Sequence, residues 1–213
     1  MHSRETVFRQ ESVGELHGWT WPATDTGAWT GPKMDWETSH SHKYLQYLKG
    51  RRAVVTAGAN CGMYARHYGY LFETVYAFEP DPLNFYCLVN NCQLNNVIKM
   101  QCALGEKAGL ISINRNYQDN VGMNTVNEDE TTDPRFPLIT IDSLNLRYCD
   151  LIQLDVEGYE TKVLLGAKKT IKKFSPVIIL ENGERFNQEI IAELGYEYVD
   201  SSVSDDIYVK RKK

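Results

Sequence analysis

Short apolar runs alternate with amphipathic segments along most of the chain. Each run is almost continuously apolar, which is typical of strands buried on both faces of a parallel sheet. The segments between the runs show the three- and four-residue spacing of helices with one buried face. This alternation predicts an α/β fold with a doubly wound, mostly parallel sheet. The predicted strands span residues 53–55, 75–78, 97–104, 151–154 and 177–180.

The predicted helices follow these strands. The best marked of them begins at Asp81-Pro82, an N-cap residue followed by a proline at the first helical position. Its apolar stripe has the spacing i, i+3, i+4 and i+7 of a helix face, at Phe85, Leu88, Val89 and Cys92. Further helices are predicted over residues 63–70, 160–174 and 186–194.

The remaining strands are expected outside this alternating pattern. Residues 196–199 and 207–209 are separated by a connection too short for a helical crossover, so this last pair must be antiparallel. Residues 108–114 alternate like an accessory strand. The polar stretch 116–137 is expected to be a long functional loop that shapes the substrate pocket, with Asn124 as a candidate contact.

The first 50 residues differ in character from the rest and contain all four tryptophans. Turn formers mixed with aromatic residues indicate an ordered but irregular segment, ending in a short helix near residues 40–48. We expect either an arm packed on the surface or a lid over the active site. As a lid it would contact cofactor or substrate through Trp19, Trp21, Asp25 or Trp29. The domain proper is then expected to span residues 51–213.

Composition narrows the class of protein. The net charge of −5 provides no general attraction to nucleic acid or to an acidic membrane. The five cysteines are odd in number and form no CxxC pair, which disfavours a disulfide framework or a structural zinc site. No apolar run approaches a membrane span, and the first residues lack a signal-peptide core. A cytoplasmic protein without a metal site is predicted.

The strand ends carry the candidate chemistry. A small-residue loop, Gly58-Ala59-Asn60-Cys61-Gly62, follows the first strand, and Glu79 ends the second. Glycines let a ligand approach the backbone, and a carboxylate at the next strand end can accept hydrogen bonds from both ribose hydroxyls. Asp155 and Glu181 end two further strands. Since ligands bind at the carboxyl ends of such strands, these features predict a site for a nucleoside-containing cofactor.

The identity of that cofactor follows from the loop. Its glycine pattern is not GxGxxG, so the close pyrophosphate approach of a dinucleotide fold is not indicated. S-adenosylmethionine (SAM), which has an amino-acid tail in place of a pyrophosphate, fits better. An NAD-dependent oxidoreductase stays as a less favoured alternative.

Five motifs extend this interpretation to a family. VVTAGANCGMY, VYAFEPDPLNF, CALG, PLITIDSL and LIQLDVEGYETKVLLGA, in this order, resemble the FkbM-type family of SAM-dependent methyltransferases. The resemblance implies a three-layer, Rossmann-like class I fold, with a seven-stranded sheet whose last strand is antiparallel. It also implies methyl transfer to a hydroxyl oxygen, on a small molecule or a glycan.

The resemblance further implies roles for individual residues. The methionine portion of SAM would be held by Gly58, Ala59, Asn60 and Gly62. Glu79 would bind the ribose hydroxyls. The adenine would be flanked by Pro80 and Asp81 and enclosed by Ala103 and Leu104. Asp155, Glu157 and Glu160 would stand at or near the methyl-transfer centre.

One departure from the family pattern bears on function. The first strand usually ends in an aspartate that helps to hold the charged amino group of the cofactor, and this chain has Thr56 there. A threonine hydroxyl can still form a hydrogen bond in the cofactor site, and Asp155 can supply the missing charge. A catalytically silent SAM-binding module is therefore the second hypothesis.

Methyl transfer to an alcohol also requires a proton acceptor. Asp155 and Glu157 are the first candidates for this base, and Glu181 is the next. Each also has a structural alternative, because carboxylates commonly cap the helix or loop that follows a strand.

Overall fold

A computed structural model of the chain describes residues 8–11, 19–22, 25, 41–115, 120–129, 134–181, 188–202 and 205–211. The strands in this part of the chain are β1 (Phe8–Glu11), β2 (Trp19–Pro22), β3 (Ala53–Ala57), β4 (Thr74–Phe78), β5 (Val97–Met100), β6 (Ala103–Leu104), β7 (Gly109–Asn114), β8 (Thr125–Asn127), β9 (Phe136–Ile139), β10 (Leu151–Leu154), β11 (Val177–Glu181), β12 (Tyr196–Ser202) and β13 (Asp205–Lys210).

The α-helices are short. They are α1 (Met63–Gly69), α2 (Pro82–Asn91), α3 (Glu160–Leu165), α4 (Lys168–Phe174) and α5 (Gln188–Glu193), and 3-10 helices span Ser41–Tyr47, Val121–Met123 and Ile141–Leu144. Within the described ranges, none of these helices has the length and apolar character needed to cross a bilayer.

A seven-stranded sheet forms the centre of the molecule. Its strand order is β12-β13-β11-β10-β3-β4-β5. The five strands from β11 to β5 are parallel, whereas β13 is antiparallel to both of its neighbours. This is the predicted Rossmann-like sheet with an antiparallel last strand, so the predicted fold class is confirmed.

Helices cover both faces of this sheet, which explains the continuous apolar runs. Alternate residues of β3 enter different cores: Val55 packs with Val163 and Ile171 of α3 and α4, and Val54 packs with Ala65 of α1. Because both faces are buried, every position of a central strand needs an apolar or internally bonded side chain.

The predicted apolar stripe of α2 is wrong in part. Leu88 and Cys92 are buried as expected, but Val89 is 41% exposed and Phe85 only partly buried. The helix also buries Asn84 and Asn91, which lie outside the predicted stripe. Both asparagines donate hydrogen bonds to backbone carbonyls of neighbouring segments, and this interaction cannot be inferred from hydrophobic spacing.

The predicted helix over residues 160–174 is two helices. A Cβ on Gly166 would lie 1.9 Å from the carbonyl oxygen of Gly105, so the two backbones touch at the break. The Gly166 carbonyl accepts a hydrogen bond from the Asp142 backbone N–H, at 2.9 Å. The Asp142 carboxylate then accepts the N–H groups of Lys169 and Thr170 and caps α4.

The predicted strand over residues 97–104 also divides. Only β5 joins the large sheet, and β6 belongs to a four-stranded sheet of order β6-β9-β7-β8. The polar stretch predicted as a loop is therefore partly regular, because it contains β8 and the 3-10 helix Val121–Met123. Residues 120–126 lie beside the ends of the central strands.

The N-terminal hairpin β1–β2 is attached to the domain by Asn91 of α2. The Asn91 Oδ1 accepts the Thr20 N–H at 2.6 Å, and its Nδ2 donates to the carbonyls of Thr20 and Cys61, both at 2.7 Å. One buried amide therefore joins β2 to the loop after β3.

We expect Asn91→Ala to destabilise the fold by about 1–3 kcal/mol, because it leaves three backbone groups without their partner. Hydrogen exchange at the Thr20 amide should accelerate relative to the wild type. Asn90→Ala is the matched control, because Asn90 is half-buried on the same helix and donates its side-chain hydrogen bond to the exposed Tyr86 carbonyl instead; this variant should leave that exchange rate unchanged. Equal rates in the two variants would show that Asn91 does not hold the hairpin.

Candidate functional site

The ends of three central strands meet at Gly58. Asp155 donates its N–H to the Ala57 carbonyl at 3.1 Å, and the Gly58 N–H donates to the Phe78 carbonyl at 3.1 Å. Gly58 has a φ of +74°, and a Cβ there would lie 1.7 Å from the Asp155 carbonyl oxygen. Only glycine fits this position, and the contact brings the loop, Glu79 and Asp155 to one place.

A cavity of about 460 Å³ opens at these strand ends, a size typical of small-molecule sites. Its polar wall includes Gly58, Asn60, Glu79, Asp155, Glu157 and Glu181. An apolar side is formed by Phe78, Cys102, Ala103 and Leu104, and residues 120–126 form a further wall. A Cβ on Gly122 would lie 3.5 Å from the Asn60 side-chain nitrogen, so this segment lies against the glycine loop.

Glu79 is positioned by two backbone groups. Its Oε2 accepts the Asn60 N–H at 2.8 Å, and its Oε1 accepts the Asp81 N–H at 2.9 Å. Burial raises the pKa of Glu79 to about 7, although both N–H donors favour the charged form. Each carboxylate oxygen keeps a further lone pair for a ligand hydroxyl.

Asp81 lines the cavity and also stabilises the structure around it. Its Oδ1 caps α2 by accepting the N–H groups of Leu83 and Asn84, as the Asp-Pro sequence predicted. Its Oδ2 accepts two hydrogen bonds from Arg115, at 2.8 and 3.0 Å, and one from Asn124 at 3.5 Å. Asp81 therefore fastens the segment around Asn124 to the start of α2.

Three carboxylates face one another at the other end of the cavity. One oxygen from each of Asp155, Glu157 and Glu181 lies within 4.8 Å of the other two. Burial, then the charge of the neighbouring Glu181 carboxylate, raises the pKa of Asp155 well above its usual range. In this pair of acids, Asp155 therefore keeps its proton to a higher pH than an exposed aspartate would.

Glu157 differs from this pair. Burial, together with the charges of Glu181 and Glu160, raises its pKa to about 7. Its φ of +53° places a non-glycine residue in the left-handed region, a conformation that commonly occurs at functional sites. Glu160, by contrast, accepts the N–H groups of Val156 and Gly158 at 3.2 Å, so it stabilises the loop that presents Glu157.

The carboxylate cluster also bears on metal binding. Hard cations such as Mg²⁺ prefer carboxylate oxygens, and these three acids could hold one. No histidine joins them in the described part of the chain. The expectation of no metal site stays a prediction.

A smaller cavity of about 190 Å³ adjoins the first and shares Gly58, Asn60, Asp155 and Glu181 with it. Trp21 and Ala59 line it. Asp205 adds a further carboxylate, because β13 pairs it directly with Glu181. The Trp21 indole donates to the Asp25 carboxylate at 2.6 Å, which fixes the ring against this cavity.

Most sequence-predicted site residues lie at one of the two cavities. The larger cavity is lined by Gly58, Asn60, Glu79, Pro80, Asp81, Ala103, Leu104, Asn124, Asp155, Glu157 and Glu181, and the smaller by Ala59 and Trp21. Trp19 and Asp25 contact Trp21 and are not among the lining residues. Trp29 lies outside the described residues.

Two predicted cofactor residues line neither cavity. Thr56 is fully buried in the sheet and donates its hydroxyl to the Gln153 side chain on β10. Gly62 lies against α2, where a Cβ would be 2.9 Å from Leu88 Cδ1. Thr56 therefore has a role in the sheet interior, and Gly62 in helix packing.

Several lining residues were not predicted. Tyr159 and Asn84 line the larger cavity and Asp205 the smaller. The only signal for Asn84 was its place in the first turn after the Asp-Pro cap. Asp205 is an acid at the start of an antiparallel strand. It was missed because only the carboxyl ends of the parallel strands were treated as candidate sites.

A doubly wound sheet of this order, with a ligand-sized cavity outside the carboxyl ends of its central strands, is typical of Rossmann-like proteins. The profile of the Methyltransferase FkbM domain matches residues 56–198. The chain belongs to this family of methyltransferases, as its motifs predicted.

The chain is also similar to two individual proteins. Methyltransferase 1 of Beauveria bassiana (strain ARSEF 2860) is 29% identical over 143 residues, covering 53% of this chain and 57% of the relative. The crystal structure of Methyltransferase FkbM from Methylobacillus flagellatus KT superimposes with a TM-score of 0.57 at 17% identity, covering 84% of this chain and 51% of that one. At 17% identity, the similarity to the second protein shows only that the fold is shared. The chain spans little more than half the length of either relative.

The raised pKa of Glu79 predicts a pH dependence of stability. The folded state holds this proton more tightly than the unfolded state, so the contribution is complete below pH 4.5 and is lost as the pH rises through about 7. Between these values the free energy of unfolding should fall by about 3 kcal/mol relative to Glu79→Gln. Urea unfolding of both proteins across this range measures the difference.

The exposed Glu73, changed to Gln, is the control for this experiment and should keep the wild-type pH dependence. A constant difference between wild type and Glu79→Gln would show that Glu79 does not titrate in this window.

Proposed function

We propose that the protein is a SAM-dependent methyltransferase that transfers a methyl group to a hydroxyl of a small molecule or glycan. The observation that carries this proposal is the arrangement of acids around one cavity: Glu79 lies at one end, and Asp155, Glu157 and Glu181 lie at the other. The Glu79 carboxylate can accept hydrogen bonds from ribose hydroxyls. The three carboxylates at the other end can neutralise a cationic group and accept the proton that an alcohol releases.

The lining residues fit the cofactor on structural grounds. The Oδ1 of Asn60 is buried at the cavity without a hydrogen-bond partner among the described residues, so it offers an acceptor to a ligand. In our proposal Glu79 accepts the ribose hydroxyls, Ala103 and Leu104 contact the adenine, and the loop at Gly58 lies under the amino-acid tail. Bound SAM would supply an electrophilic methyl group on a sulfonium.

The acid cluster would complement the positive charge of the sulfonium and the ammonium group. The pKa of Asp155 is raised by burial and by the neighbouring Glu181 carboxylate, so a bound cation would favour the charged form of Asp155. The smaller cavity, with Asp205 and Trp21 in its wall, is the proposed location of the amino-acid tail or of part of the acceptor.

Glu157 is the best-suited proton acceptor of the three. A general base is most effective when its pKa lies near the working pH, and the pKa of Glu157 is about 7. The residue is only partly buried, so an acceptor can reach it. In the proposed reaction the chain orients the hydroxyl, excludes water and receives its proton at the Glu157 carboxylate.

The position of Thr56 weakens the case for a silent module. That hypothesis supposed that a carboxylate was missing from the cofactor site. Thr56 instead bonds Gln153 inside the sheet, and several acids remain in the cavity walls. The alternative of an NAD-dependent oxidoreductase has no observation in its favour, since the family of this chain is one of methyltransferases.

We expect Glu157→Gln to lower methyl transfer by roughly 100-fold or more, because a positioned base typically contributes factors of this size. Transfer is measured as S-adenosylhomocysteine formed from SAM with a panel of sugars and other hydroxyl compounds. The wild-type rate should rise with pH through about 7, as Glu157 loses its proton, and the variant should lose this rise.

Glu197→Gln on the edge strand β12 is the matched control, because this glutamate is exposed and pairs with Val209, toward the end of β13 opposite to Asp205. It should keep the wild-type rate and pH profile. A Glu157→Gln variant with the wild-type profile would exclude Glu157 as the base. No turnover with any hydroxyl compound, despite SAM binding, would count against hydroxyl transfer.

A further inference from the structure

Exposed cations are concentrated at the end of the large sheet opposite to the cavity. The strands β13, β11, β10 and β3 are consecutive in this sheet, and β13 runs antiparallel to the other three. The last residues of β13 therefore lie beside the segments that lead into β11, β10 and β3. The exposed cations at these positions, which we call the basic edge, are Lys49, Arg51, Arg52, Arg147, Lys172, Lys173, Lys210 and Arg211.

Side-chain contacts join the segments of the basic edge. Arg52 donates hydrogen bonds to both carboxylate oxygens of Asp150, and its guanidinium lies 4.3 Å from the centre of the Tyr148 ring. Lys173, near the end of α4, donates from Nζ to the Leu146 carbonyl at 3.4 Å. The segments before β3, β10 and β11 are therefore in direct contact, so their charges form one surface.

Fewer carboxylates than cations lie at this end of the sheet. Asp150 is buried and paired with Arg52. The exposed Glu73 and Glu197 lie at the starts of the neighbouring strands β4 and β12. Within the described ranges, five cations of the basic edge form no salt bridge: Lys49, Arg51, Arg147, Lys172 and Arg211.

The same strands carry acids at their other ends. Asp155 follows β10, Glu181 ends β11, and Asp205 begins β13. The net charge of −5 thus averages over two edges of opposite sign. A strand of five residues such as β11 is about 16 Å long, roughly two Debye lengths at physiological ionic strength. A planar anionic surface at the basic edge would therefore be screened from the acids at the cavity.

We propose that the basic edge docks the protein on an acidic phospholipid membrane, with the cavity facing away from the lipid. A planar surface can meet all four strand ends at once, because adjacent strands lie only about 4.8 Å apart. Lysine and arginine close to such a membrane are attracted by its negative surface potential. This docking does not depend on which reaction the cavity performs.

Tyr148 favours lipid over nucleic acid as the partner. It is 47% exposed and lies between the cations that precede β3 and those that precede β11. Tyrosine is enriched at the headgroup level of membranes. Arg52 already covers one face of the ring, so this tyrosine is less suited to stacking on a nucleic-acid base.

The experiment measures sedimentation of the whole chain with vesicles at about 0.1 M salt. One set of vesicles is phosphatidylcholine alone, and the other contains about 30% phosphatidylserine. We expect binding to the acidic vesicles to be at least roughly 20-fold tighter and to weaken as salt is added, because each cation near the surface contributes roughly fivefold. Equal binding to both sets would overturn the proposal, as would tighter binding to duplex DNA or RNA at the same phosphate concentration.

Two double variants of equal net charge locate the binding surface. Arg147→Gln with Lys172→Gln removes two cations of the basic edge and should weaken binding to the acidic vesicles roughly 20-fold. Lys107→Gln with Lys162→Gln is the matched control, because both lysines are exposed and lie outside the basic edge. The control should bind within about twofold of the wild type, since distant charges are screened. Equal losses in the two variants would assign the binding to overall charge and exclude the basic edge as the docking surface.

Discussion

The contact between Gly58 and the Asp155 backbone is the constraint on which the site depends. A Cβ at position 58 would overlap the Asp155 carbonyl, so any other residue would push apart the ends of β3 and β10. The hydrogen bonds from Gly58 and Ala59 to the Phe78 carbonyl tie β4 to the same place. Glu79 and Asp155 follow directly from these strands, and their separation is set by this junction.

Several acidic side chains around this junction are partly shielded from solvent. Burial raises the pKa of Glu79, Asp155 and Glu157, so the fold bears a cost that a bound cation or hydroxyl would offset. Perturbed carboxylates that converge on a cavity are typical of functional sites. The buried side-chain oxygens of Asn60 and Asn84 also lack a hydrogen-bond partner among the described residues.

The large sheet and the acidic residues at its strand ends could be predicted from the sequence alone. The central strands are buried on both faces, so their apolar runs mark them clearly, and the carboxyl ends of parallel strands must meet at one edge. Glu79, Asp155 and Glu181 were found for this reason. The break at Gly166 and the inward-facing Asn84 were not predicted, since each depends on a backbone group distant in sequence. Thr56 was misassigned because a strand residue next to a functional loop can equally point into the sheet.

The most direct test of the account is a crystal structure of the chain with S-adenosylhomocysteine. We expect both ribose hydroxyls to donate to the Glu79 carboxylate, with the sulfur facing Asp155 and Glu157. A nucleoside bound elsewhere, or a ribose without contact to Glu79, would contradict the assignment of this cavity as the cofactor site.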